Sequence, residues 1–74
     1  MLNVALLGFG RIGQMHAKNI NNHKSLNLHL VYDKSVKLSI KAKKKYNCKI
    51  EDNYINIFKN NNIDIIFIST PTNT

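Results

Sequence analysis

A glycine pattern near the amino terminus constrains the fold of this chain more than any other feature. The run GFGRIG places glycines at positions 8, 10 and 13, directly after the apolar run LNVALL of residues 2–7. A continuous apolar run of this length is typical of a strand that is buried on both faces. Because glycines spaced in this way suit a tight turn from a strand into a helix, the pattern predicts a strand, a turn and a helix in succession.

The rest of the sequence repeats this alternation. Apolar spacing and capping residues predict helices over 12–21, 35–47 and 52–59, and further strands over 26–32, 48–50 and 63–69. The order β-α-β-α-β-α-β predicts an α/β fold with a parallel sheet and right-handed crossovers. A length of 74 residues allows one small domain at most, and no linker, repeat or second domain is visible.

Each predicted helix carries an apolar stripe that we expect to face the sheet. The expected inward residues are Ile12, Met15, His16 and Ile20 in the first helix, Leu38, Ala42 and Tyr46 in the second, with Val36 and Ile40 alongside, and Ile55 and Phe58 in the third. In the second strand Leu26, Leu28 and Leu30 alternate with Asn27 and His29, which predicts that one face is less buried near the start of the strand.

An acidic residue at the end of the second predicted strand gives the glycine pattern a chemical meaning. Asp33 follows Gly13 by twenty positions. A strand, a G-x-G-x-x-G turn, a helix and an acidic residue at this distance form the fingerprint of a dinucleotide-binding unit. The competing interpretation is a structural turn with no ligand, because glycine-rich turns are common. The agreement of all the context features favours the dinucleotide.

Each residue of the turn has a physical role in that interpretation. Gly8 permits the tight turn, Gly10 has no Cβ to hold off a pyrophosphate, and Gly13 lets the helix pack closely on the sheet. The N–H groups near Arg11 and Ile12 point at the phosphates, and the helix dipole favours their negative charge. The Arg11 side chain either adds a charge-assisted contact or remains solvated.

The residues after the second strand bear on the choice of cofactor. The Asp33 carboxylate is suited to accept hydrogen bonds from the adenosine ribose of NAD and to repel the 2′-phosphate of NADP. Lys34 beside it offsets part of that repulsion. The sequence therefore favours NAD and leaves NADP as an alternative.

A net charge of +7 raises the alternative of a nucleic-acid or membrane partner. Most of this charge lies on lysines between positions 34 and 49, in a chain also rich in Asn and Ile, and all three residue types have A- and T-rich codons. The lysines lack the interleaved aromatic residues that stack on bases, and no apolar run approaches the ~20 residues of a membrane span. We expect neither partner. We expect a cytoplasmic location, because no secretory signal is visible.

Other chemistry has little support in the sequence. Cys48 is the only cysteine and is interpreted as a small apolar residue, and the three histidines show no ligand spacing, so no metal site is expected. His16 is interpreted as a packed residue of the first helix. No Ser-His-Asp or paired-carboxylate arrangement is visible, and we expect no catalytic residue within the chain.

Three longer segments, GFGRIGQMHAKNI, VYDKS and IDIIFISTPTNT, resemble the amino-terminal part of the glucose-fructose oxidoreductase, inositol dehydrogenase and rhizopine catabolism (Gfo/Idh/MocA) family. The resemblance covers essentially the whole chain and is most similar to the inositol 2-dehydrogenase branch. It implies a Rossmann fold that binds NAD(P). The implied cofactor-binding positions are Gly8, Phe9, Gly10, Arg11 and Ile12 in the phosphate loop, Asp33 at the ribose, and Ser69, Thr70 and Pro71 along the cofactor cleft.

The resemblance also implies a function. Family members are oxidoreductases that transfer a hydride between a sugar or polyol hydroxyl carbon, here inositol-like, and the nicotinamide. Their catalytic lysine lies in a Glu-Lys-Pro motif that this sequence lacks. We therefore expect an incomplete amino-terminal dinucleotide-binding domain over 1–74, catalytic residues beyond Thr74, and a homo-oligomer when the protein is complete, with sugar or polyol binding only then. The alternative is a non-enzymatic nucleotide-binding or regulatory Rossmann module.

Overall fold

The computed structural model describes residues 1–69, which form a four-stranded sheet flanked by three helices. The elements in chain order are β1 (Leu2–Leu7), α1 (Arg11–Asn22), β2 (Leu26–Tyr32), α2 (Val36–Tyr46), β3 (Lys49–Glu51), α3 (Tyr54–Phe58) and β4 (Ile65–Ile68). The spatial order of the strands is β3-β2-β1-β4, and every pairing is parallel. The predicted parallel α/β fold is confirmed, with β1 in the interior of the sheet.

The two faces of the sheet have separate apolar cores. The core beneath α1 and α2 contains Val4, Leu6 and Val31 of the strands together with Ala17 and Ala42 of the helices. The opposite core is smaller, because the short helix α3 contributes only Ile57 to the buried set there. Since β1 supplies residues to both cores, its continuous apolar sequence follows from burial on both faces.

Helix α1 rests on the sheet through small residues. Gly13, Ala17 and Ile20 are its buried positions, whereas Ile12 and Met15 are each 53% exposed. The prediction that Ile12 and Met15 face the core is wrong. The small side chains bring the helix backbone close to β1, and this close approach selects a face that apolar spacing alone does not reveal.

Helix α2 begins and ends where the sequence indicates. The Ser35 hydroxyl accepts a hydrogen bond from the N–H of Leu38 at 3.4 Å, and Asn47 adopts the left-handed conformation that commonly ends a helix. Ala42 is buried as predicted, but Val36 and Ile40 are exposed on the outer side. The buried partner of Ala42 in this helix is Ser39.

Helix α3 turns a different face to the sheet than the sequence suggests. Asn53 caps it by accepting a hydrogen bond from the N–H of Ile55 at 3.1 Å. Ile57 is 1% exposed, while Ile55 is 47% and Phe58 is 59% exposed. The prediction of Ile55 and Phe58 as inward residues is therefore wrong. In a helix of five residues, one well-placed isoleucine fills the space over β1 and β2.

A bulge in β2 changes which face of the sheet its residues occupy. Val4 pairs with Leu28 and Ala5 pairs with Leu30, so one residue of β2 is left over at this point. Leu28 consequently packs in the core under α1 and α2, and Leu30 packs in the opposite core. Near the start of β2, Asn27 is exposed and His29 is half-buried, so the predicted less buried face is confirmed.

Strand β4 lies at one edge of the described sheet. It pairs with β1 alone, and its Phe67 and Ile68 are exposed. A polar network holds its start in register, because the Asp64 carboxylate accepts a hydrogen bond from the N–H of Asn3 at 2.7 Å. Among residues 1–69, no helix has the length and apolarity that crossing a membrane requires.

Candidate functional site

The turn after β1 is shaped by two glycines that stand against other backbone segments. Gly8 has a φ of 105°, a backbone conformation that residues with a Cβ rarely adopt. A Cβ there would also lie 3.0 Å from the carbonyl carbon of Ser69. A Cβ on Gly13 would clash with the carbonyl of Gly8. These two positions therefore need glycine so that β1, β4 and α1 can approach one another.

Gly10 differs from these two glycines, because nothing in the described structure crowds it. A Cβ at Gly10 would meet no atom within 4 Å, and its φ of −74° suits any residue. Gly10 is the N-cap of α1, and its carbonyl accepts the first helical hydrogen bond, from the N–H of Gln14 at 2.8 Å. The N–H groups of the first helical turn precede that bond and have no acceptor inside the helix. They lie at the same end of α1 as Gly10, and free N–H groups at a helix N-terminus can bind an anion.

The side chain of Phe9 packs into the core beneath the glycine turn. Its side chain is fully buried and meets the Tyr46 ring edge-on at 6.4 Å between centroids. Its backbone N–H donates to the Asp33 carboxylate at 2.7 Å. The side chain of Phe9 therefore belongs to the core, its N–H is taken up by Asp33, and its predicted part in cofactor binding stays a prediction.

Asp33 is held in a fixed orientation at the end of β2. One carboxylate oxygen accepts from the N–H of Phe9 and the other from the N–H of Ser35 at 2.8 Å. The backbone of Asp33 is bound on both sides by the Ser39 hydroxyl, which accepts from its N–H and donates to its carbonyl, each at 3.2 Å. Each carboxylate oxygen keeps a further lone pair for a ligand. Sequence reasoning missed Ser39, and a serine on the buried face of α2 was the signal for it.

A groove opens at the carboxyl ends of β2 and β3, next to Asp33. Its volume is about 330 Å³. Its lining residues are Tyr32, Asp33, Lys34, Val36, Ser39, Ile50, Glu51 and Asp52. Sequence reasoning assigned Asp33 and Lys34 to the site and missed Glu51 and Asp52. These two acids come together with Asp33 only because β3 pairs with β2.

Glu51 is tied into its own loop by several donors. Its carboxylate accepts from the Asn56 side-chain amide at 3.1 Å, and from the N–H groups of Asp52 and Asn53 at 3.2 and 3.3 Å. The Asn56 amide is the main cause of a Glu51 pKa that is lowered from its ordinary value, and these backbone donors add to it. Glu51 therefore carries its full negative charge at neutral pH.

Comparison with known proteins identifies the family of this chain and its fold. The Gfo/Idh/MocA family model, described as an oxidoreductase family with an NAD-binding Rossmann fold, matches residues 2–74. The chain belongs to this family. No curated protein matches the chain at a significant level. The family match supports a nicotinamide dinucleotide as the cofactor.

Solved structures of inositol dehydrogenases resemble this family member over nearly its whole length. A candidate myo-inositol dehydrogenase from Sinorhizobium meliloti 1021 superposes with a TM-score of 0.94 at 31% identity, covering 100% of this chain and 22% of that one. A myo-inositol dehydrogenase from Corynebacterium glutamicum ATCC 13032 has a TM-score of 0.88 at 30% identity, with 97% and 22% covered. For the myo-inositol 2-dehydrogenase of Lactobacillus plantarum the TM-score is 0.87 at 30% identity, with 96% and 22% covered. This chain thus spans about a fifth of the length of these proteins.

The remaining predicted site residues of this Gfo/Idh/MocA chain occupy two places. Arg11 and Ile12 are exposed in the first turn of α1, beside the open space. Ser69 closes the turn from the β4 side, because its hydroxyl donates to the Gly8 carbonyl at 3.0 Å and its N–H donates to the Leu7 carbonyl at 2.8 Å. Thr70 and Pro71 lie outside the described residues.

Two further sequence interpretations concern residues away from the turn. His16 packs its ring against Phe67 of β4 at 5.4 Å between centroids, in a partly buried position. Cys48 is buried, and this burial raises the pKa of its thiol, which behaves as a small core residue. Residues 1–69 hold no cluster of three or more His, Cys, Asp or Glu side chains arranged for a metal ion.

Proposed function

We propose that this chain binds NAD through its adenosine and pyrophosphate groups, as the nucleotide-binding part of a sugar or polyol dehydrogenase. The observation that carries the proposal is the open space at Gly10, at the start of α1. The Asp33 carboxylate lies next to this turn, because it accepts a hydrogen bond from the N–H of Phe9. The pyrophosphate would accept hydrogen bonds from the first-turn N–H groups. Asp33 would accept bonds from the ribose hydroxyls.

NAD is favoured over NADP by the way in which Asp33 is bound. Both of its oxygens already accept hydrogen bonds from backbone N–H groups, so the carboxylate is held in one orientation. A 2′-phosphate would bring about −1.5 to −2 charges against this fixed carboxylate. Lys34 lines the same groove and offsets part of the repulsion.

The proposed reaction is a hydride transfer between an inositol-like hydroxyl carbon and the nicotinamide. NAD supplies the hydride acceptor when it is bound. The residues of this chain bind and orient the adenosine and pyrophosphate, and we propose that the catalytic side chains lie outside residues 1–74. The names of the inositol dehydrogenases that this chain resembles support the substrate class. We also propose a cytoplasmic homo-oligomer for the complete enzyme.

Isothermal titration with NAD tests the binding proposal, with Asp33→Asn as the variant. We expect the variant to weaken NAD binding about 10-fold, because hydrogen bonds to charged groups contribute about 1.5–3 kcal/mol and asparagine keeps part of that interaction. Asp64→Asn is the matched control, since it makes the same charge change at the opposite end of the sheet. Equal NAD affinity in the wild type and Asp33→Asn would contradict the proposal.

Hydride transfer is tested in a chimera. Residues 1–74 replace the corresponding segment of the Corynebacterium glutamicum myo-inositol dehydrogenase, and NADH formation with myo-inositol is measured. We expect activity that the Gly10→Val version of the same chimera loses. A folded chimera that binds NAD and forms no NADH would refute the proposed reaction while leaving the binding proposal intact.

A further inference from the structure

The strand order determines where each half of a bound dinucleotide lies. The pyrophosphate position is at the end of β1, and β2 and then β3 follow on one side, with β4 on the other. In the proposed mode of NAD binding, Asp33 at the end of β2 would hold the adenosine half toward β3. The groove of about 330 Å³ between the ends of β2 and β3 lies on this side. Substituents on the adenosine ribose would therefore meet the groove.

The charges that line this groove are unequal. Three acidic residues line it, Asp33, Glu51 and Asp52, against the single basic residue Lys34. This local excess of negative charge stands out because residues 34–50 contain seven lysines and no acid, which by themselves equal the whole net charge of +7. The groove is thus an acidic site in a strongly basic chain.

The groove is small enough for its charged lining residues to act on any charged group inside it. A space of about 330 Å³ is roughly 8–9 Å across if it is round, so a group inside it lies within about one Debye length of each lining charge at physiological salt. Glu51 is also held in place by the donors of its own loop, which limits its movement away from an incoming anion.

We propose that Glu51 and Asp52 are specificity-determining residues that exclude the 2′-phosphate of NADP from this groove, in addition to Asp33. The inference rests on the proposed binding of NAD at the glycine turn. It assigns a function to two acids on the β3 side of the groove. Along the chain, α2 separates them from Asp33 and from the glycine turn. The basic residue Lys34 then balances only one of three carboxylates.

The test measures NAD and NADP dissociation constants for Glu51→Gln, Asp52→Asn and the double variant. Each variant removes one charge and keeps an acceptor oxygen, so the loop hydrogen bonds to Glu51 are preserved in kind. At about 10 mM ionic strength we expect each single variant to raise NADP affinity relative to NAD about 3- to 5-fold, and the double variant about 10- to 20-fold. At about 0.5 M salt the gain should shrink to about 2-fold or less.

Asp64→Asn is the control, because it removes the same charge at the far end of the sheet and should leave the NADP-to-NAD ratio within about 1.5-fold. Asp52→Asn keeps the test valid if Glu51→Gln weakens the fold. A wild type that binds NAD, with variants whose ratio does not change, would overturn this inference and leave the proposed function standing. A ratio that rises equally in Asp64→Asn would also overturn it. A folded wild type that binds neither cofactor would refute both proposals.

Discussion

Substitution of Gly10 separates binding from folding, because the structure gives this glycine no packing role. A Cβ at Gly10 would enter open space, and its backbone conformation is accessible to alanine. Glycine is preferred to alanine at an N-cap by only about 0.5 kcal/mol. We therefore expect Gly10→Ala to lower the free energy of unfolding by about 0.5 kcal/mol, which corresponds to a shift of roughly 2–4 °C in melting temperature.

The effect of Gly10→Ala on NAD binding should be much larger. The methyl group would stand where the pyrophosphate approaches the first turn of α1, and at least one hydrogen bond to the charged phosphate would be lost. Such a bond contributes about 1.5–3 kcal/mol, which is about 10- to 150-fold in dissociation constant. The bulkier Gly10→Val variant should abolish measurable binding while it still folds.

Gly13→Ala is the contrasting variant. Its Cβ would clash with the Gly8 carbonyl, so this change should lower the free energy of unfolding by about 1–3 kcal/mol or more. The assay combines thermal unfolding followed by circular dichroism with isothermal titration by NAD. The reasoning would be refuted if Gly10→Ala bound NAD as the wild type does, or if it lost stability as severely as Gly13→Ala.

Three further predictions address the support of the site and the packing of the fold. Ser39→Ala should cost about 1–3 kcal/mol in urea unfolding, because the buried hydroxyl bonds both backbone groups of Asp33; an unchanged midpoint would contradict this. Ile57→Ala should cost about 2–5 kcal/mol in the same assay and Ile55→Ala less than about 1 kcal/mol, and the reverse order would show that α3 is rotated. Glu51 has a lowered pKa in the folded chain, so its stabilising contribution is present above its unfolded pKa and is lost as pH falls through the folded value. NMR titration of its carboxyl carbon should place the pKa below the ordinary pKa of a glutamate side chain, and a pKa above that ordinary value would contradict the assignment.

The alternation of elements could be predicted because the signals are local. The burial of β1 on both faces, the Ser35 and Asn47 caps of α2 and the glycine turn are each written in a few adjacent residues. The errors in the helices arose where packing geometry overrides apolar spacing. Ile12 is exposed because the helix must present Gly13 to the strand, and a small residue gives no apolar signal.

The residues of the candidate site also fall into a group set by local sequence and a group set by packing. The glycines and Asp33 could be predicted, since their spacing along the chain reflects one local strand–turn–helix–strand unit. The contributions of Ser39, Glu51 and Asp52 could not, because they depend on how α2 and β3 pack beside β2. The bulge in β2, which sends Leu30 to the other face, is likewise a property of strand pairing that period-2 reading does not detect.

An NMR titration of the isotope-labelled chain with NAD tests the central claim most directly. The amide signals of Gly10, Arg11 and Ile12 should shift most, together with those of Phe9 and Asp33, and the shifts should saturate with a single dissociation constant. The lysine-rich outer face of α2 should remain unchanged. A folded chain whose loop amides do not move at millimolar NAD, or whose shifts lie only on α2, would contradict the account.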